Sequence, residues 1–337
     1  MTVLVTGGAG YIGSHMVHAL ADAGESVVVL DNLSTGFQSA LPSSVPLCVG
    51  DVGDRELVAS IIGEHKVDAI IHFAGSIVVP DSVRDPLGYY RNNTVNTRAL
   101  IESAVNGGVK HFIFSSTAAV YGNPAVLPVR EDAPTKPMSP YGTSKLMSEI
   151  MLHDVAAAHE LRYVILRYFN VAGADPKQRT GQSTPAATHL IKVGVETALG
   201  MRPKLDVYGT DYPTPDGTCI RDYIHVSDLA CAHSAALVHL RSDGAGMTFN
   251  CGYGHGYSVL EVIRAIERVT GRKLPVQMVG RRLGDPVSLV ADVSRIRSKL
   301  DWSPRFEDLD TIVSHALDWE RRLQTARKAA KRQVIPA

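Results

Sequence analysis

Short apolar runs and amphipathic stretches alternate regularly along the first half of the chain. Residues 3–6 form an apolar strand that breaks into Gly7-Gly8-Ala9-Gly10-Tyr11-Ile12-Gly13. Ile12, Met16, Val17 and Leu20 then recur at helical spacing to about residue 23. Gly24 ends this helix, and 26–30 reads as a second buried strand closing on Asp31. Further strands are expected over 47–50, 69–73, 111–116 and 162–168, with helices over 54–65, about 85–106 and from Tyr141 onward. Strands separated this regularly by helices predict an α/β fold built on a doubly wound parallel sheet.

After Asn170 the rhythm changes. Residues 174–187 are rich in turn formers and read as a long loop, followed by a helix over 188–199 and a short strand over 205–208. A strand over 220–226 and a helix over 227–241 are expected to return to the large sheet. The runs 248–251 and 275–279 are expected to form a small sheet around a helix at 259–271. The predicted organisation is therefore a dinucleotide-binding domain over 1–172, rejoined by 220–242. A smaller α/β substrate-binding lobe would comprise 173–219 and 243–337.

The first unit carries chemistry. Strand, glycine loop, helix, strand and terminal acid occur in the order of a Rossmann-type dinucleotide fingerprint. The glycines allow backbone to approach a pyrophosphate, and the helix start offers that anion free N–H groups. Two glycine registers fit, Gly8-x-Gly10-x-x-Gly13 and Gly7-x-x-Gly10-x-x-Gly13. Asp31 lies eighteen residues after Gly13, where a carboxylate accepts ribose hydroxyls and repels a 2′-phosphate. Asn32 and Leu33 follow without an arginine, which favours NAD over NADP. Gly7–Gly13, Asp31, Asp51, Phe73 to Gly75, Thr117 and Tyr168 to Asn170 all fall at predicted strand ends, where ligands of such sheets bind.

A second motif is Ser139-Pro140-Tyr141-Gly142-Thr143-Ser144-Lys145. With Pro140 opening a helix, Tyr141 and Lys145 leave the same face. Bringing a tyrosine from about 10 to about 7 requires roughly 4 kcal/mol of preference for the phenolate. An ammonium about 4 Å away supplies on the order of 4 kcal/mol at an effective dielectric near 20. The expectation is a tyrosine base activated by its lysine.

Composition narrows the classes. The 337 residues are 45% hydrophobic and 20% charged, as in an ordinary globular protein. Lys+Arg and Asp+Glu stand at 34 each, so no overall field favours nucleic acid or an anionic membrane. The four cysteines have no CxxC spacing, and no metal site is expected of His15 and His18. No apolar run approaches the ~18 residues of a membrane span. The chain enters its first strand at once, and a cytoplasmic location is expected. The basic stretch 321–332 reads as a solvated helix end.

Together Gly7-x-x-Gly10-x-x-Gly13, Thr117 and Tyr141-x-x-x-Lys145 resemble the extended short-chain dehydrogenase/reductase family. The likeness is closest to its branch that epimerises UDP-hexoses at C4. The matching stretches are VLVTGGAGYIGSH, LDNLSTG, HFAG, PLGYYRNN, FIFSSTAAVYG, SPYGTSKLMSE, LRYFNVAGA, DYPTPDGTCIRDYIHVSDLA and RRLGD, which run from residue 3 to about 285. The resemblance implies NAD as cofactor and interconversion of UDP-galactose and UDP-glucose through a transient 4-keto sugar. Tyr141 would be the base, Lys145 would hold the nicotinamide ribose, and Thr117 would bind the reacting oxygen. Cofactor contacts are implied for Gly7, Gly10, Tyr11, Ile12, Gly13, Asp31, Asn32, Asp51, Val52, Phe73, Ala74, Gly75, Asn92, Tyr141, Lys145 and Tyr168. Substrate contacts are implied for Thr117, Asn170, Tyr208, Arg221, Arg282 and Asp285, the two arginines gripping the pyrophosphate. Homodimers are implied through the two long helices.

Departures from the family pattern bear on substrate. Ala118-Ala119 stand where dehydrating relatives place an acid, which disfavours elimination. Ile77 replaces a lysine that some members hold near the cofactor, so weaker NAD retention is expected. Thr188-His189 replace an asparagine pair of the substrate loop. Leu289 aligns with a tyrosine of strict UDP-glucose/galactose enzymes, which leaves room for an N-acetylated hexose. Another UDP-sugar (an N-acetylhexosamine, glucuronate or pentose) is the alternative substrate. A non-catalytic nucleotide sensor would be expected to lack one of Thr117, Tyr141 and Lys145, and all three are present.

Overall fold

The computed structural model describes residues 1–333 apart from 186 and 283, with side chains to 328. Strand β1 (Thr2–Thr6) enters the middle of a parallel sheet and passes through the glycine loop to helix α1 (Tyr11–Asp22). There follow β2 (Ser26–Asp31), β3 (Leu47–Val49), α2 (Arg55–His65), β4 (Val67–His72), α3 (Val79–Arg84), α4 (Pro86–Tyr89) and α5 (Asn96–Asn106). Next come β5 (His111–Thr117), α6 (Pro140–Ala158), β6 (Arg162–Tyr168), β7 (Asn170–Ala172), α7 (Leu190–Ala198) and β8 (Leu205–Tyr208). The chain continues with β9 (Ile220–His225), α8 (Val226–Arg241), β10 (Met247–Cys251), β11 (Gly256–Ser258) and α9 (Val259–Thr270). It closes with β12 (Val276–Val279), β13 (Ser288–Leu289), α10 (Ser294–Lys299) and α11 (Leu309–Gln333).

The large sheet has seven parallel strands in the order β3-β2-β1-β4-β5-β6-β10. Successive side chains of a strand leave opposite faces. Val3 and Val5 accordingly pack with Met16 and Val17 of α1 and with Leu229 of α8, while Leu4 packs on the other side with Val58, Leu100 and Leu152. Both faces are covered, which is why these strands read as nearly continuous apolar runs. A four-stranded sheet of β7, β9, β11 and β13, a β8–β12 pair and helices α7, α9 and α11 form the second lobe.

Two predicted placements are corrected. Strand β9 does not return to the large sheet; it pairs with β7, β11 and β13, and only helix α8 comes back. Strand β10, expected in the small sheet, instead forms the edge of the large one beside β6. The domain division is therefore shifted: 220–225 belongs to the second lobe and 247–251 to the first. Asn250, a polar residue in β10, is itself fully buried there. Its side chain donates to Val129 O at 2.8 Å and accepts from the Tyr121 hydroxyl at 2.6 Å.

The long helix expected over 85–106 is also interrupted. Asp85 caps a new start by accepting from Gly88 N at 2.9 Å, and Tyr90–Val95 is a π-helical stretch between α4 and α5. Such stretches often mark functional sites.

Candidate active site

The glycine loop resolves its own register. Gly7 has φ +69°, and a Cβ there would stand 2.5 Å from Ala74 N. A Cβ on Gly13 would stand 2.1 Å from Gly7 O. Backbone thus excludes side chains at Gly7 and Gly13, whereas a Cβ on Gly8 would meet mainly the Val29 side chain. The pattern in use is Gly7-x-x-Gly10-x-x-Gly13. Gly10 caps α1 without a side chain, and the first helical bond runs from Ser14 N to Gly10 O. The N–H groups of Tyr11, Ile12 and Gly13 therefore precede the helical ladder and are available to an anion. The Tyr11 hydroxyl is committed elsewhere, donating to Gly173 O at 2.7 Å. Only the backbone of Tyr11 remains for a cofactor.

Asp31, 7% exposed, ends β2 and accepts from Ala9 N at 2.9 Å and from Leu33 N at 2.8 Å. It ties the glycine loop to the strand tip, and each oxygen keeps a lone pair for a ribose hydroxyl. Asn32 donates to Asp51 at 3.4 Å, and Asp51 accepts from Gly53 N and from Asn96, both at 2.8 Å. Buried Val52 lies beside them. None of these contacts involves a cation, so this patch of carboxylate and amides offers a 2′-phosphate no positive charge among them. Asn96 was not singled out from sequence; its role depends on where α5 begins after the π stretch.

Phe73 N donates to Thr6 O at 2.9 Å, which lays Phe73, Ala74 and Gly75 against Gly7. Asn92 donates to the Ser76 hydroxyl at 2.8 Å. Its neighbour Asn93, 2% exposed, accepts from Ser76 N at 2.7 Å and donates to Ser76 O and to Ser144 of α6. Asn93 fastens this loop to α6, a role not read from the sequence, where Asn92 was expected as a cofactor contact. The doubled asparagine inside an expected helix was the available signal. Ile77 is 51% exposed.

Helix α6 starts with Pro140 in its first turn and Ser139 as its cap, accepting from Gly142 N at 3.3 Å. Tyr141 and Lys145, 7% and 4% exposed, leave one face as predicted. Thr117, the last residue of β5, is 8% exposed and accepts from Ala119 N at 3.1 Å, and its side chain lies near enough to Tyr141 to offset part of the upward push of burial. Lys145 Nζ lies 4.4 Å from the centre of the Phe114 ring. The expected activation is corrected: burial pushes Tyr141 up to about 12 and Lys145 down to about 8. Desolvation penalises both charged forms. The lysine alone does not bring the phenol toward neutrality. Tyr168, at the end of β6, is half-buried, and desolvation pushes it upward as well.

The second lobe gathers the other predicted residues. Arg282 pairs with Asp285 through contacts of 3.0 and 3.2 Å, and its guanidinium lies 5.1 Å from the Tyr208 ring centre. Arg221, in β9, reaches within 3.9 Å of Asp285. Asp285 thus holds both guanidiniums in one cluster. Asn170, exposed at the start of β7, lines a cavity with His189 and Lys192. Leu289, 7% exposed, packs with Ala118 and Phe169, the neighbours of Thr117 and Asn170. Sequence reasoning missed the polar chain behind His189 described below.

Among the described residues no group of histidine, cysteine and acid residues is arranged to hold a metal. No helix there is long and apolar enough to cross a membrane.

The glycine cradle, the acid at the β2 tip and the cation-free Asp51 patch fit NAD. Residues 3–252 match the model of the NAD dependent epimerase/dehydratase family. A UDP-glucose 4-epimerase of Azospirillum brasilense is 60% identical over 322 residues, 96% of this chain and 92% of the relative. A UDP-glucose 4-epimerase from Brucella ovis, solved in complex with NAD, is 46% identical with a TM-score of 0.91, covering 94% of this chain and 97% of that one. The UDP-Glc/GlcNAc 4-epimerase of Campylobacter jejuni is 48% identical with a TM-score of 0.83, covering 95% and 99%. With its glycine loop, its Tyr141–Lys145 face and its whole length accounted for, the chain belongs to the NAD dependent epimerase/dehydratase family.

Proposed function

We propose that the protein is an NAD-dependent 4-epimerase that interconverts UDP-galactose and UDP-glucose, a step of galactose metabolism. The observation that carries this reading is the buried Tyr141 and Lys145 four residues apart on α6, with Thr117 buried at the end of β5.

The N–H groups of Tyr11, Ile12 and Gly13 would hold the cofactor pyrophosphate, and Asp31 the adenosine ribose. Asn32, Asp51, Val52, Phe73 to Gly75, Asn92 and Tyr168 would line its remaining length. The chemistry that bound NAD supplies is acceptance of the C4 hydride and its return to the other face of the transient 4-keto sugar, together with a cationic ring that favours the phenolate. Tyr141 takes the proton of the 4-hydroxyl group and gives it back. Thr117 holds the reacting oxygen during both transfers. Lys145 contributes positive charge below the phenol. Arg221 and Arg282 grip the diphosphate, since a planar fork pairs two oxygens and stays charged. Asp285 and Tyr208 serve the nucleoside, and Asn170 the sugar. Ala118 and Ala119 exchange no protons, so nothing at that position drives elimination.

A second substrate reading is favoured by Leu289. Its side chain, smaller than a tyrosine, packs with Ala118 and Phe169, the neighbours of Thr117 and Asn170, and would obstruct an N-acetylated hexose less than a tyrosine there. A homodimer in the cytoplasm completes the proposal. Leu87, Val95, Met147 and Ile150 are exposed on α4, α6 and the π stretch, an apolar face suited to a second copy.

The test is incubation with UDP-galactose without added cofactor, followed by proton NMR. Appearance of UDP-glucose without net NADH supports the reading. Absence of reaction with and without NAD, over a panel of UDP-sugars, overturns it.

A further inference from the structure

Gln182 follows Gly181, whose bridge to Ala174 closes the loop between β7 and α7. Its backbone carbonyl accepts from the buried Lys192 Nζ at 2.9 Å, and Lys192 pairs in turn with Glu320 of α11. Its side-chain nitrogen lies 2.8 Å from His189 Nδ1. Gln182 is 9% exposed, so backbone and side chain are both fixed.

The chemistry of this contact is one-sided. With its nitrogen turned to the ring the amide donates, an arrangement that has Nδ1 of His189 accept and leaves the ring proton on Nε2. Burial pushes His189 below its ordinary value, in keeping with a neutral ring. Among the described residues Nε2 has no protein partner. His189 caps the start of α7 without a side-chain capping bond and lines the cavity that it shares with Asn170.

We propose that Gln182 is a positioning residue, fixing His189 as the neutral Nε2–H form so that its ring donates a hydrogen bond to an oxygen of the UDP-sugar. The proposal rests on the UDP-sugar reading above. It makes the loop of the second lobe, through an amide that never meets the substrate, the determinant of which way a substrate hydrogen bond points.

Gln182→Glu reverses the contact. A carboxylate only accepts, so the ring proton moves to Nδ1 and Nε2 becomes an acceptor. The charged groups on the cavity wall with the ring are Lys192 of α7 and Glu320 of α11, Lys192 also pairing with Glu196; Tyr223 of β9 is the other titratable side chain on that wall. Gln182→Met removes the amide without adding charge.

Nitrogen NMR of histidine-labelled protein, with His189→Asn to assign the signal, reads the tautomer directly. The wild type is expected to carry its proton on Nε2, and Gln182→Glu on Nδ1. Calorimetric titration with UDP and UDP-galactose is expected to weaken about five- to tenfold in Gln182→Glu, the size of one lost hydrogen bond. KM should rise more than kcat falls. In Gln182→Glu the defect should shrink as the pH is lowered and the ring gains its second proton, a trend absent from Gln182→Met. Weakening for UDP itself places the donor on the diphosphate; weakening confined to UDP-galactose places it on the hexose. A wild-type ring protonated on Nδ1, or unchanged binding in Gln182→Glu, overturns the proposal alone. Wild-type protein that binds neither ligand overturns the UDP-sugar reading and this proposal with it.

Discussion

The Tyr11 hydroxyl donates at 2.7 Å to the carbonyl of Gly173, joining the helix behind the glycine cradle to the loop that leads into the second lobe. Ser14 and Thr180 meet at 2.7 Å one turn along, and Arg179 pairs with Asp22 at 2.8 Å at the helix end. Three contacts thus fasten one loop along the length of α1.

Tyr11→Phe leaves the buried Gly173 carbonyl without its donor. A lost hydrogen bond of this kind costs about 1–3 kcal/mol. The urea midpoint should fall accordingly, with the slope of the unfolding transition unchanged. An unaltered midpoint would mean that the contact contributes nothing.

Tyr141→Phe keeps the ring and removes the proton acceptor. Turnover should fall by about 10²- to 10⁴-fold, the range of general acid–base contributions. Fluorescence titration should still detect NAD binding, because the glycine cradle is untouched. Retained turnover would remove Tyr141 from the mechanism.

Lys145 makes a stability prediction with a definite sign. Its folded value is lowered from 10.5 to about 8, so between those values the unfolded chain binds more protons than the folded one. Folding stability contributed through this group therefore rises as pH climbs from about 8 to about 10.5. Below that window the buried charge costs on the order of 3 kcal/mol, using about 1.4 kcal/mol per unit. Lys145→Met should raise the Tm of the cofactor-free protein at pH 7 while lowering activity. The gain should shrink as pH rises through the window. A Tm difference that stays constant with pH would count against a charged, desolvated lysine.

Leu289→Tyr fills space beside Ala118 and Phe169. Turnover of UDP-N-acetylglucosamine should drop much further than turnover of UDP-glucose, read as the ratio of their kcat/KM values. An unchanged ratio would place the specificity elsewhere.

Much of the first lobe was legible because its signals are local. The glycine loop, the Asp31 strand tip and the Tyr141–Lys145 face each follow from spacing within one or two elements, whereas the choice between two glycine registers needed the approach of Ala74 and Gly7 backbone. The large sheet was legible as far as β6 for the same reason. The exchange of β9 and β10 was not, since pairing of short strands is settled by distant partners. Asn250 reads as a polar surface position until Tyr121 and Val129 are brought to it. Asn93 and Asn96 were hidden by the π stretch, which rotates side chains away from ordinary helical spacing. The depressed tyrosine expected of Tyr141 failed because sequence shows the neighbouring charge and not the desolvation of both groups.

Strand β10 carries a consequence for how the protein is made. The large sheet is finished by residues that come only after β7, α7, β8 and β9 of the second lobe have been made. Until they emerge, the growing chain has β6 as an open edge, able to pair with any passing strand. A fragment cut after residue 172 would keep every cofactor residue named above and still end in that raw margin. Residues 1–172 therefore do not close the large sheet by themselves, and its last edge is supplied only after the chain has passed through the other lobe.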